Sequence, residues 1–204
     1  MSLDGFVAGP GQSVQAPLGA GGERLHDWAV SLASWRRVHG LEGGEENAST
    51  AVMEESVAGV GATIMGRNMF GGHPGPWDPA KPWNGWWGEE PPFHHPVFVL
   101  THHPREPLVL RQGNVFNFVT DGIEAALRRA REAANGRDVA LAGGARTAAQ
   151  YLAAGLVDEM LISLVPILLG EGDRLFEGAG PDLHGLEQRR VVDAPGVTHL
   201  FFAR

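Results

Sequence analysis

Asp138-Val-Ala-Leu-Ala-Gly-Gly-Ala-Arg-Thr147 is the stretch that decides the fold. Val139 to Ala142 form a short apolar run, Gly143 and Gly144 turn the chain, and residues 145 to 154 have the spacing of a helix. A glycine pair between strand and helix lets backbone approach a ligand closely. The helix start behind it presents free N–H groups and the positive end of a dipole, which suits a phosphate. Arg146 and Thr147 add a charge and a hydroxyl at the same place. An ordinary strand-to-helix connection remains open, because the full dinucleotide fingerprint is absent.

Working outward, strands and helices alternate along the chain. Residues 6 to 8 are the tail of a strand, and a strand this apolar usually has residues before it, so the expected start lies upstream of Met1. Leu25, Trp28, Ala29, Leu32 and Trp35 recur at helical spacing, predicting one amphipathic helix over residues 24 to 36. A second helix is expected over 48 to 58, and a strand over 62 to 65. Residues 71 to 96 are a long loop rich in Gly, Pro and Trp; strands are expected at 96 to 101 and 115 to 119. Asp121 with Glu124 suggests a capping pair for a helix that Asn135-Gly136 stops. A strand is expected over 158 to 165, and strands at 183 to 192 and 197 to 203 flank Ala194-Pro-Gly196 as a terminal hairpin. The alternation implies an α/β fold with a largely parallel sheet and an antiparallel edge, in one domain over residues 1 to 204.

Composition narrows the function. The chain of 204 residues carries a formal net charge of −8, which argues against nucleic acid and against an anionic membrane as partners. There is no cysteine, so disulfides and thiolate metal sites are excluded. His94-His95 and His102-His103 are adjacent pairs whose side chains diverge on a strand, so no metal site is expected. The longest apolar stretch, Met160 to Leu169, is too short to span a bilayer, and a cytoplasmic protein is the default expectation.

In an open α/β sheet, ligands sit beyond the carboxyl ends of the strands. Three such ends carry polar groups: Met65-Gly-Arg67, Thr101-His-His103 with Arg105, and Gly143-Gly-Ala-Arg-Thr147. If their strands are parallel neighbours, they form one cationic wall able to hold a ligand with several phosphates. The four tryptophans of the 71 to 96 loop, Trp77, Trp83, Trp86 and Trp87, are either a substrate lid or a structural cover.

At this point the sequence resembles a known family. Ser2-Leu-Asp-Gly-Phe-Val-Ala8, Ile64-Met-Gly-Arg67, Val97-Phe-Val-Leu-Thr-His102 and Leu141-Ala-Gly-Gly-Ala145 are similar to the successive signatures of the dihydrofolate reductase superfamily. Leu156-Val-Asp-Glu-Met160 and Pro166-Ile-Leu-Leu-Gly-Glu-Gly172 resemble the branch that includes the reductase domain of the bifunctional riboflavin-biosynthesis deaminase–reductase. The resemblance implies a three-layer α/β/α fold with a mixed, mostly parallel sheet, and NADPH as cofactor. It implies that Gly66, Arg67 and Asn68 lie near the cofactor phosphates, and Thr101 and His102 near the 2′-phosphate with His103 and Arg105 as neighbours. Gly143, Gly144, Ala145, Arg146 and Thr147 would surround the pyrophosphate, and Val7 and Ala8 would flank the nicotinamide. Asp27 is the nearest match to the first-helix carboxylate that supports protonation, with a solvated helix residue as the alternative. Trp28, Phe70 and Trp87 are candidate substrate contacts.

The expected function is an NADPH-dependent reductase of a small, pterin- or pyrimidine-like substrate, with a homodimer as the expected assembly. A non-catalytic NADP-binding or regulatory protein is the alternative.

Overall fold

The structure is a computed structural model describing residues 1 to 204. Its elements in chain order are β1 (Phe6–Ala8), α1 (Asp27–Val30), α2 (Ala33–Val38), α3 (Ala48–Val57), β2 (Val60–Gly66), α4 (Arg67–Phe70), β3 (Pro96–Leu100), β4 (Leu108–Val109), β5 (Val115–Val119), α5 (Ile123–Ala134), β6 (Asp138–Gly143), α6 (Ala145–Ala153), β7 (Glu159–Leu164), β8 (Asp173–Arg174), β9 (Glu187–Ala194) and β10 (Val197–Ala203). The chain divides into two compact units, one of residues 59 to 150 and one of residues 1 to 58 with 151 to 204.

The 59 to 150 unit is built on a five-stranded sheet in the order β4-β5-β3-β2-β6. β5, β3, β2 and β6 are parallel, and β4 adds an antiparallel edge. Thr63 lies opposite Val97 and Met65 opposite Val99; Val97 and Val99 lie opposite Phe116 and Phe118. Alternation therefore puts these six side chains on one face. Met65, Val97, Val99 and Phe116 there are fully buried with Phe70 of α4, and Trp77, Trp83 and Trp87 pack against them. The tryptophan loop is thus a structural cover. Three of its indole N–H groups donate to main-chain carbonyls: Trp77 to His103 at 2.9 Å, Trp83 to Phe70 at 2.9 Å and Trp86 to Met69 at 3.0 Å. α5 packs against β2, β3 and β6 and buries only alanines: Ala125, Ala126, Ala130 and Ala134. Such short side chains let helix and sheet approach closely.

The other unit carries the antiparallel sheet β7-β10-β9 and the small pair β1-β8. α3 packs on β9. His199 of β10 is fully buried, with Nε2 2.9 Å from the Ser49 hydroxyl of α3 and Nδ1 2.9 Å from the Ser163 hydroxyl of β7.

Several local expectations are corrected. Residues 24 to 36 do not form one helix: Leu32 is extended (φ −68°, ψ 139°), separating α1 from α2. Here the main chain pairs sideways with Glu45, whose N–H donates to Ser31 O while the Ala33 N–H donates to Glu45 O. Leu25, Ala29 and Leu32 of that spacing are nonetheless buried, although α2 itself buries no residue. Asp121 does not cap α5. Gly122 is the N-cap without a side-chain cap bond, and Asp121 pairs with Arg129 at 2.6 Å. Residues 173 and 174, to which no strand was assigned, form β8 against β1. The strand expected from residue 183 begins at Glu187.

Candidate active site

β2 lies between β3 and β6, parallel to both. Gly66 is aligned with Leu100, and Met65 with Gly143. The sequences that follow, Arg67-Asn68, Thr101-His102-His103 and Gly144 to Thr147, therefore leave the same edge of one sheet. Three weak signals in sequence become one place, at the carboxyl ends where α/β sheets bind ligands.

The glycines there have distinct reasons. Gly143 has φ 106°, a conformation side chains avoid. The Gly143–Gly144 peptide is cis. No atom lies within 4 Å of the place where a Cβ on either residue would stand, so both are left open to an approaching ligand. Gly66 is different: a Cβ there would collide with the Thr147 hydroxyl on the first turn of α6. Its absence brings the end of β2 against the helix start, and Thr147 is buried there. The amides of Thr147 and Ala148 close on Gly144 O at 3.0 Å each, making Gly144 the entry to α6.

Arg67 opens α4, with Nη2 2.7 Å from His73 O and its guanidinium carbon 3.7 Å from the centroid of Trp77. Its Nε is buried without a hydrogen-bond partner. An unsatisfied charged donor in such a position is costly unless something accepts from it. Arg105 reaches the same ring, 4.9 Å from the centroids of both Trp77 and Phe118. Its Nη1 donates to Trp83 O at 2.6 Å and its Nη2 to Asn84 Oδ1 at 3.1 Å, so its fork is spent on the loop. Burial holds both guanidinium groups below the usual arginine proton affinity, and for Arg67 the Arg105 charge adds to this. Neither belongs to an ion pair.

The remaining sequence candidates divide. Asn68, His102 and Arg146 are exposed at this edge. Thr101 is buried, and its hydroxyl accepts the His103 N–H at 3.1 Å, closing the turn after β3. Phe70 has no exposed surface and Trp87 packs on Phe93 and Phe116, so both belong to the core rather than to a substrate contact. Val7, Ala8, Asp27 and Trp28 belong to the other unit. There Val7 is half-buried and Ala8 buried; Asp27 is exposed at the start of α1. The Trp28 indole N–H donates to Leu25 O at 3.0 Å and its ring meets His199 edge-on at 4.9 Å, so Trp28 is packing material.

One contributor to this site, and one pairing within the other unit, were not visible in sequence. Trp77 stood among four equivalent tryptophans, with nothing local to mark it. Asp4 accepts the amides of Leu169 (3.2 Å) and Gly170 (2.7 Å). The Ser2 hydroxyl and then these amides lower its carboxyl to about 2. Ser2-Leu-Asp-Gly5 and Pro166 to Gly172 were both recognisable as motifs, but not as partners.

Glycine turns and an arginine without an ion pair thus stand together at neighbouring ends of one parallel sheet, where α/β folds take their ligands. The chain belongs to the RibD C-terminal domain family, which it matches over residues 1–198. Among solved structures it is similar to a candidate riboflavin biosynthesis protein of Shewanella sp. PV-4 (TM-score 0.57, 22% identity, 100% of this chain and 94% of that one). It is also similar to RibD of Acinetobacter baumannii (TM-score 0.52, 19% identity, 76% and 50%). A third is the diaminohydroxyphosphoribosylaminopyrimidine deaminase/5-amino-6-(5-phosphoribosylamino)uracil reductase of Thermotoga maritima (TM-score 0.53, 13% identity, 99% and 54%). At these identities the likeness establishes the fold. Among curated proteins, the uncharacterised YyaP of Bacillus subtilis is 30% identical over 92 residues, a match spanning 43% of this chain and 48% of YyaP, about half its length.

Proposed function

We propose that the chain is an NADPH-dependent reductase that delivers a hydride to a small heteroaromatic substrate of pterin or pyrimidine type. One observation carries the reading: the buried, partnerless Nε of Arg67 stands at the end of β2, between strands whose ends carry Thr101 and the open Gly143–Gly144 turn. The residues fit an anionic dinucleotide. Arg67 supplies a charged donor with free capacity, and Gly143 and Gly144 leave room for phosphate beside the start of α6. Such a cofactor supplies the hydride itself, so the protein's task is binding and alignment. In this reading Arg67, Asn68, Thr101, His102 and the Gly143 to Thr147 segment bind phosphates. A homodimer in the cytoplasm is part of the proposal.

The test is direct. Arg67→Lys keeps a cation over Trp77 but removes Nε and the fork. Calorimetric titration should show NADPH binding weakened by about 1.5–3 kcal/mol, the range for a hydrogen bond to a charged group. Unchanged affinity in a folded variant would overturn the assignment of Arg67. Single-turnover oxidation of bound NADPH against a panel of pterins and pyrimidines then tests catalysis. A second reading, a non-catalytic dinucleotide-binding protein, is favoured by Asp27, whose exposed carboxylate no hydrogen bond holds in place. Tight NADPH binding with no oxidation by any of the panel would decide for it.

A further inference from the structure

The four tryptophans of the long loop are not equivalent in the structure. Trp83 and Trp86 meet edge to face with centroids 4.6 Å apart, and Trp87 packs on phenylalanines. Trp77 alone among them carries cations: Arg67 at 3.7 Å and Arg105 at 4.9 Å from its centroid. Its orientation is fixed from three sides. The indole N–H donates to His103 O at 2.9 Å, and Phe70 and Phe118 meet the ring at centroid distances of 5.9 and 5.1 Å, both in T-shaped geometry.

Two like charges drawn to one ring with no carboxylate on either is an arrangement that does not stabilise itself. Each guanidinium is attracted to the ring's electron-rich face, yet the two repel each other and both are partly withdrawn from water. In a chain of net charge −8, carboxylates were available to neutralise them and do not. The pair therefore presents a local double positive charge. Arg67 can contact an anion through its free Nε, whereas Arg105, with its Nη1 and Nη2 bound to Trp83 and Asn84, contributes its field. Coulomb energy scales with the product of charges. A dianionic phosphomonoester thus gains more from this pair than a singly charged phosphodiester does. NADPH carries such a monoester and NADH does not.

We propose that Trp77 is a positioning residue whose ring holds Arg67 and Arg105 together as uncompensated cations, and so sets a preference for NADPH over NADH. The proposal rests on the cofactor reading above. It assigns to one tryptophan of the loop a part in ligand choice that its three neighbours do not share.

Dissociation constants for NADPH and NADH should be measured by calorimetry on the wild type, Trp77→Phe, Trp77→Leu and Arg105→Gln, each checked for cooperative unfolding in urea. Trp77→Leu keeps an apolar side chain but no electron-rich face. Its ratio of NADH to NADPH dissociation constants should fall about tenfold, the loss expected from removing about 1.4 kcal/mol of cation–ring attraction. Trp77→Phe keeps a ring face and loses the bond to His103; its ratio should stay within about threefold of wild type even where its urea midpoint drops, which a merely structural role would not produce. Arg105→Gln removes the second charge while retaining a donor for Trp83 O, and should lower the ratio as Trp77→Leu does; it serves as the deciding variant if Trp77→Leu does not fold. A wild-type ratio in either Trp77→Leu or Arg105→Gln overturns the proposal while leaving the cofactor reading standing. A wild type that binds neither dinucleotide overturns both.

Discussion

One missing methyl group decides how closely β2 approaches α6. The backbone at Gly66 (φ −81°, ψ 161°) would accept any residue, so the glycine is explained by Thr147 rather than by conformation. Gly66→Ala should cost about 1–3 kcal/mol in chemical denaturation, the usual penalty of overpacking. Adding Thr147→Ala should recover part of the loss, and a double-mutant cycle measures the coupling. Additive losses would show that the two do not touch. At this scale the site was half legible. Arg67 and the Gly143–Gly144 pair stood out because a strand followed by Gly and a polar residue is a local pattern. The partners of Arg67 were not legible: His73 lies in the long loop, and Trp77 draws its cations from β2's end and from Arg105, far beyond any window of periodicity.

At the scale of elements, ends are decided by hydrogen bonds that hydrophobic spacing does not encode. α3 begins at Asn47, whose Oδ1 accepts the Ser49 N–H at 2.9 Å while the Asn47 N–H donates to Thr50 Oγ1 at 3.2 Å. Asn47→Ala should lower stability by about 1 kcal/mol, read as a shift in urea midpoint with unchanged slope. The same lesson explains the two misjudged helices. Asp121 had the right spacing to cap α5 but found Arg129 instead, and the apolar spacing of residues 24 to 36 said nothing about Leu32 pairing beside Glu45. The strands were more legible, because β2, β3, β5, β7 and β10 are apolar runs bounded by turn residues. Two-residue β4 and β8 were not, since nothing in so short a stretch separates strand from loop.

At the scale of the whole molecule, alternation of strands and helices fixed the class of fold, and the ordered motifs fixed the family. No helix is long and apolar enough to cross a membrane. Acid sensitivity is a property of the entire folded state, and its sign follows from the buried imidazoles. Burial lowers the proton affinity of His199 from its ordinary 6.5, and the same cause acts on half-buried His95. As pH falls through about 6.5 the unfolded chain takes up protons first. Stability present at neutral pH is therefore lost progressively from there down to the folded value. Urea midpoints at pH 7.5 and pH 5 (roughly one unit above and about 1.5 below that ordinary value) should show this loss, and His199→Gln should reduce the slope. A slope that is flat in the wild type, or unchanged in the variant, would count against a neutral His199. The tryptophans carry a final consequence. Trp28 and Trp35 belong to the unit of residues 1 to 58 and 151 to 204, and the other four of the six to residues 59 to 150. Intrinsic fluorescence of this protein is therefore weighted toward one unit, so a loosening confined to the other is under-reported by emission and is better followed by amide exchange.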